Sequence, residues 1–164
     1  NKEVSNMRII VFSDSHGDVN ICKSVLDKLP KTDMVIHAGD CIGDAKKLEE
    51  LFPNIEVKAV AGNCDYSAAP VDLVFDAGGK RFFLSHGHKY GVKFEYDYRT
   101  FCEKALSEEA DAAIFGHTHV SYMKKEKGLL LLNPGSIRYG HTFGIIEIEN
   151  GVISSDTCNA DIRF

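Results

Sequence analysis

Two histidines, His117 and His119, sit two residues apart, just after the apolar run Ala112-Ala113-Ile114-Phe115 and its breaker, Gly116. Imidazole is the commonest side-chain metal ligand, so a His-x-His turn at a strand end is a candidate metal edge. The pair gains weight from four other apolar runs that stop in stretches rich in Asp, Asn, His and Gly. Asp14 and His16 follow residues 8–12, Asp40 follows 33–38, Asn63 and Asp65 follow 55–61, and His86-Gly87-His88 follows 81–85. The candidate ligands are therefore Asp14, His16, Asp40, Asn63, His86, His117 and His119. Carboxylate, amide oxygen and imidazole together suit manganese, nickel, zinc or iron, with magnesium a further choice, better than calcium and its all-oxygen shell. So many donors exceed one tetrahedral ion. They suit two divalent ions sharing a bridging carboxylate about 3.5–4 Å apart, as in binuclear hydrolases. Asp40, alone on its loop, is the expected bridge.

The elements that must place these residues follow from hydrophobic patterning. Residues 8–12, 33–38 and 55–61 are short apolar runs that read as strands. Between them, residues 19–29 carry a helical stripe (Ile21, Cys22, Val25, Leu26, Leu29), and residues 44–52 a shorter one with Leu48 and Leu51 facing inward. Asp18 or Asn20 is positioned to cap the first helix and Asp44 the second. This β-α-β-α-β order brings the strand ends to one sheet edge, where ligands collect in α/β proteins. Beyond Pro70, residues 71–75 and 81–85 flank Gly78-Gly79, and residues 142–148 and 152–158 flank Asn150-Gly151, both hairpin signals. Residues 96–110 read as an amphipathic helix burying Phe101, Ala105 and Leu106. Residues 111–115 and 129–132 read as strands, the latter ending in Asn133-Pro134-Gly135-Ser136. The expected architecture is mixed α/β, two sheets packed face to face and flanked by helices.

The totals exclude other classes. The length suits one domain, residues 7–164, with Met7 read as the native start and residues 1–6 as a leftover extension or a frayed end. No apolar run nears the roughly 20 residues of a membrane span, and no signal peptide is expected. Five scattered cysteines without a Cys-x-x-Cys pair fit reduced thiols in a cytoplasmic setting. A net charge of -5 disfavours nucleic-acid binding, which rests on neutralising phosphates.

The series Asp14-x-His16, Gly39-Asp40, Gly62-Asn63, His86-Gly87-His88 and Gly116-His117-x-His119 resembles the calcineurin-like metallophosphoesterase superfamily, and within it the small prokaryotic phosphodiesterase branch. The motifs stand in the family's order from Met7 to about Ile148. The resemblance implies a two-sheet sandwich and a di-metal centre, with Asp14, His16, Asp40 and His119 on one ion and Asp40, Asn63, His86 and His117 on the other. It also implies hydrolysis of a small phosphoester, with a hydroxide held between the ions as nucleophile. Many members carry Gly-Asn-His at the third motif, where that His protonates the leaving group. Here Cys64 takes its place, and a thiol with an ordinary pKa of about 8.5 is a poor match for that role. Water or a neighbouring imidazole such as His88 is the alternative proton carrier, and Arg138, after the turn at Ser136, is placed to meet a substrate phosphate. His37 reads as a packed strand residue or one that supports a ligand from behind, His141 as a surface one, and Asp65 as a residue that orients a neighbour or fixes the turn. The rival reading is a non-catalytic interaction scaffold, since a eukaryotic retromer subunit looks like the same fold with an impaired metal site. An exposed apolar patch would favour it. A homo-oligomer is compatible with the small size and long hairpins.

Overall fold

Residues 9–12 are apolar and all branched or aromatic, as a strand buried on both faces requires. In the computed structural model, which describes residues 6–160, this run lies within β1 (Met7–Phe12). Residues 1–5 and 161–164 fall outside the described part, and with them most of the expected N-terminal extension. Strand β1 runs parallel to β2 (Met34–His37) and β2 to β3 (Glu56–Ala59), through the crossovers α1 (Val19–Lys28) and α2 (Ile42–Leu51). The second half supplies β4 (Asp72–Ala77), β5 (Lys80–Ser85), α3 (Arg99–Ser107), β6 (Ala112–Ile114), β7 (Tyr122–Glu126), β8 (Leu129–Asn133), β9 (Thr142–Glu149) and β10 (Val152–Asn159). One sheet has the order β10-β9-β1-β2-β3 and the other β4-β5-β6-β8-β7. Within the second sheet, β5, β6 and β8 are parallel, and antiparallel β4 and β7 form the edges.

Strand periodicity builds four layers. Ile9 and Val11 join Ile36, Phe82, Leu84, Ile114, Leu132 and Ile146 between the two sheets. Ile10 and Phe12 turn outward to Cys22, Val25 and Leu26 of α1 and Leu48 of α2. Phe83, Ala113 and Phe115 turn outward from the second sheet to Phe101 and Ala105 of α3. This is the expected sandwich flanked by helices. No helix among the described residues is long and apolar enough to cross a membrane.

Several local expectations are corrected. Helix α2 begins at Ile42, so Asp44 lies inside it, buried, and accepts the Gly17 N–H at 2.9 Å instead of capping. Asp18 stands before α1 without a capping bond and accepts from Arg138 at 3.1 Å. Helix α3 starts at Arg99, where the Glu95 carboxylate takes both the Thr100 N–H (2.8 Å) and hydroxyl (2.7 Å). Leu51 and Leu106, expected inward, are about half exposed at 48% and 46%. Strand β7 was not anticipated. Its Met123-Lys124-Lys125-Glu126 stretch is exposed, as edge strands tend to be charged, so it carries no apolar alternation. The Lys127-Gly128 turn that joins it to β8 has both φ angles positive, 52° and 76°.

Candidate metal centre

Each ligand-bearing loop is built against another. Asp14 follows β1 and is fully buried. Its N–H donates to the Gly39 carbonyl (2.9 Å), and Oδ2 accepts from the Ser13 hydroxyl (2.6 Å) and the His117 N–H (3.1 Å). The loop after β2 carries Asp40. Asp65, from the loop after β3, accepts the N–H groups of Asp40 (3.0 Å), Ile42 (3.0 Å) and Gly62 (2.8 Å). Asp65 is thus a clamp between two ligand loops as well as a turn former. Asp40 Oδ1 in turn accepts from the Cys64 N–H at 3.0 Å. His37 is packed as expected. Its Nδ1 accepts the Gly39 N–H (3.1 Å), leaving Nε2–H for the Ser15 hydroxyl (2.8 Å) between Asp14 and His16.

The second sheet presents its histidines to these carboxylates. His86 donates Nδ1–H to the Ala38 carbonyl at 2.7 Å, which turns Nε2 toward Asp40 Oδ2 (3.4 Å) and Asp14 Oδ1 (3.8 Å). A backbone acceptor on the far nitrogen is how a metal-ligating imidazole is oriented. His16 Nε2 lies 3.8 Å from Asp14 Oδ1 and 3.9 Å from Asp40 Oδ2, and His119 Nε2 lies 3.1 Å from Asp14 Oδ1. Two sets could therefore hold an ion: Asp14 with His16 and His119, and Asp14 with Asp40 and His86. Asp14 belongs to both sets, whereas Asp40, the expected bridge, belongs to one. Asp40 Oδ2 nevertheless faces the imidazoles of both His16 and His86. His117 stands beside this group, its ring 5.0 Å from that of His86. Asn63 is exposed between Gly62 and Cys64, with its amide nitrogen 3.7 Å from Cys64 Sγ.

The residues fit divalent ions on a specific observation: the Nε2 atoms of His16 and His86 are buried and have no hydrogen-bond partner. Buried polar atoms are normally paired, and two unpaired imidazole nitrogens aimed at two buried carboxylates form a ready donor set. Burial pushes the Asp40 carboxyl up, but the facing His86 and the Cys64 N–H outweigh it and hold it well below the usual carboxylate range. Burial also depresses His86, yet Asp40 and Asp14 outweigh it and raise its pKa. A ligating imidazole is neutral, so that proton leaves when a cation binds. Burial, then His86 and Lys93, push His117 down to about 4, so it is neutral near pH 7.

The remaining predicted residues take the rim. His88 opens a short 3-10 turn, its ring 5.6 Å from His86 and 6.1 Å from His117, with Nδ1 buried and unpartnered. Arg138 is exposed and paired with Asp18. The Cys64 thiol is pushed up by desolvation and then by Asp40, so it stays protonated near neutral pH. His141 is half-buried. Sequence reasoning missed Tyr139, which packs its ring 5.5 Å from His119 and 5.3 Å from His16. It also missed Asn133, whose amide holds the Gly116 carbonyl (3.1 Å) and the Thr118 hydroxyl (2.9 Å) in the His117–His119 turn. Asn133 ends an apolar strand, as the ligands do, and that position was its available signal.

Residues 7–151 match the calcineurin-like phosphoesterase superfamily domain. The chain is 32% identical over 155 residues to the probable metallophosphoesterase YsnB of Bacillus subtilis, covering 88% of this chain and 86% of that protein. It is 23% identical over 175 residues to the phosphodiesterase YfcE of Escherichia coli K12, covering 90% of each. Among solved structures it is similar to a predicted phosphoesterase from Streptococcus pneumoniae, with TM-score 0.79, 32% identity and coverage of 96% and 91%. The fold is also shared by Vps29 of Entamoeba histolytica solved with zinc, with TM-score 0.66, 21% identity and coverage of 94% and 100%.

Proposed function

The chain belongs to the calcineurin-like phosphoesterase superfamily, and from that premise we propose that it is a binuclear metal-dependent phosphoesterase acting on a small phosphodiester. The observation that carries this reading is the pair of unpartnered, buried Nε2 atoms of His16 and His86 facing Asp14 and Asp40. Bound there, two divalent ions, manganese by preference, would supply a water ionised near neutral pH and offset the charge of the phosphoryl oxygens. This chain's own residues do the rest. Asp14, held on Oδ2 by Ser13 and the His117 N–H, keeps Oδ1 turned to the imidazoles. Asn63, at the exposed lip, completes the second set and orients the phosphoryl group. Arg138, held at the rim by Asp18, offers its guanidinium to a phosphoryl oxygen. His88, its ring 5.6 Å from that of His86, is the imidazole assigned to relay a proton from solvent to the departing alkoxide; burial and then His86 lower its pKa, so it rests neutral near pH 7. The Cys64 thiol, raised by desolvation and then by Asp40, is a weaker acid than an imidazolium, so Cys64 is not assigned that step.

The scaffold reading draws on one observation: Tyr96 is fully exposed, Phe94 is 90% exposed and Val120, beside His119, is 62% exposed. Intact ligand loops with unpaired donors argue for catalysis over it. The test is hydrolysis of bis(p-nitrophenyl) phosphate and p-nitrophenyl phosphate by metal-stripped protein, with manganese, nickel, zinc or magnesium restored in turn. Metal-dependent cleavage that favours the diester and falls at least about a hundredfold in Asn63→Ala supports the proposal, a loss on the scale of one positioned group. Tight metal binding with no turnover under any ion supports the scaffold.

A further inference from the structure

Three rings close on one another at the edge of the metal centre. Tyr139 packs 5.5 Å from His119, nearly parallel at 26°, and 5.3 Å from His16 at 45°. His16 and His119 meet edge to face at 5.7 Å. All three separations fall within the range of aromatic pairs in contact, about 4.5–7 Å. These two imidazoles join Asp14 in one of the two sets able to hold an ion. The other set is Asp14 with Asp40 and His86, and among the described residues Tyr139 makes no ring contact with His86.

The two sets aim their imidazoles by different means. His86 donates Nδ1–H to the Ala38 carbonyl at 2.7 Å. His16 and His119 lack such an anchor. Their Nε2 atoms face Asp14, but among the described residues no group hydrogen-bonds to Nδ1 of either ring. A ligating imidazole is normally oriented through its far nitrogen, and without that bond the ring turns unless something packs against it. Tyr139 packs there. Its backbone N–H donates to the Ser136 hydroxyl at 3.0 Å, and that buried hydroxyl donates to the Asp14 carbonyl at 2.9 Å. Tyr139 is thus fastened to the loop that carries Asp14 and His16. The Arg138 guanidinium, 6.0 Å from the ring centre, holds the ring further. Tyr139 is 64% exposed, so core packing does not account for its position.

We propose that Tyr139 is a positioning residue of the metal centre. Its ring holds the His16 and His119 imidazoles toward Asp14 and so sets the affinity of that ion set. The set of Asp14, Asp40 and His86 keeps its own anchor at Ala38. This rests on the binuclear reading and adds to it that one ion is held in place by ring packing and the other by a hydrogen bond.

The test is calorimetric titration of manganese into metal-stripped protein, for the wild type, Tyr139→Ala and Tyr139→Phe. His119→Ala and His86→Ala mark which binding step belongs to which set. Tyr139→Ala is expected to weaken the step that His119→Ala abolishes by about 10–100-fold, the usual loss when a ligand's outer partner is removed. The step that His86→Ala abolishes stays unchanged. Tyr139→Phe keeps both steps, since the ring and not the hydroxyl does the holding. The metal-free proteins melt together, as an exposed substitution seldom moves stability. Both steps weakened alike, neither weakened, or Tyr139→Phe as weak as Tyr139→Ala overturns the proposal. So does a metal-free Tm that falls with the affinity, which would make the ring a support of the fold at large. The same preparations are assayed on bis(p-nitrophenyl) phosphate. Two manganese steps indifferent to Tyr139→Ala, with turnover, remove the positioning role and leave the hydrolase. Selective loss of one step in protein that turns over no phosphoester keeps the positioning role and removes the hydrolase. Wild-type protein that binds fewer than two ions overturns the binuclear reading and the proposal together.

Discussion

Asp14, His16, Asp40, His117 and His119 all hold positive φ angles, of 53°, 44°, 49°, 69° and 64°. Such conformations cost a non-glycine residue about 1–3 kcal/mol each and persist only where the surroundings over-determine them. Here the surroundings are the mutual bonds of the loops, among them the Asp14 N–H to Gly39 and the His16 N–H to Asp40. The candidate ligands are aimed by backbone strain that their residue types do not reveal. Cys64, in contrast, stands where many relatives of this superfamily carry a histidine, and its thiol is pushed up by desolvation and by Asp40. Restoring an imidazole with Cys64→His should therefore matter only where the leaving group needs a proton. Turnover of a diester with an alkyl leaving group is expected to rise about a hundredfold, the lower range for general acid catalysis, while an activated aryl diester changes little. The ratio of kcat on the two substrates checks it. Equal change on both would leave proton delivery with His88, the group already assigned it.

The strands explain why so much of this site was legible. Five apolar runs ending in polar stretches gave β1, β2, β3, β5 and β6, and through them Asp14, His16, Asp40, His86, His117 and His119. A strand buried on both faces announces itself by composition, and its end by the first Gly or Asp. Strand β7 announced nothing, because an exposed edge strand needs no apolar alternation. The start of α1 fell where expected, but the start of α2 was misplaced and neither capping bond formed, for a related reason: Asp44 and Asp18 are good capping residues, but tertiary partners, the Gly17 N–H and Arg138, claimed their carboxylates. Asp65 shows the same limit, since nothing in Gly62-Asn63-Cys64-Asp65 says that its carboxylate crosses to Asp40 and Ile42. That crossing brings two loops so close that a Cβ on Gly62 would stand 2.0 Å from Asp40 Oδ1 and 2.7 Å from the Asp40 nitrogen. Gly62→Ala must therefore displace Asp40, a candidate metal ligand. We expect it to weaken manganese binding by about 10–100-fold, as loss of ligand support does, with the circular dichroism spectrum retained. Unchanged affinity by calorimetry would show that Asp40 is not a ligand.

The two sheets contribute to the centre in a way that makes metal binding a property of the whole fold. Asp14, His16 and Asp40 follow strands of one sheet, and His86, His117 and His119 follow strands of the other. The apolar layer between the sheets holds them together without any ion. At the sheet edge, however, the buried Asp14 and Asp40 carboxylates face imidazoles whose Nε2 atoms lack hydrogen-bond partners. Unfolding separates the two ligand sets, so ions bind the folded chain preferentially and stabilise it by mass action, by about 2.7 kcal/mol at a hundredfold excess over Kd. For a chain of this length that corresponds to a rise in Tm of roughly 5–10 °C. Chelation should therefore lower Tm by that amount and restored manganese should recover it. Asp40→Asn should narrow the gap, because it weakens the set that joins the sheets through His86 while leaving the apolar layer intact. A chelated protein that melts at the same temperature as the loaded one, yet loses turnover, would mean that the ions do not bind the folded chain in preference to the unfolded one at that concentration, and that the sandwich positions the ligands without being held by them.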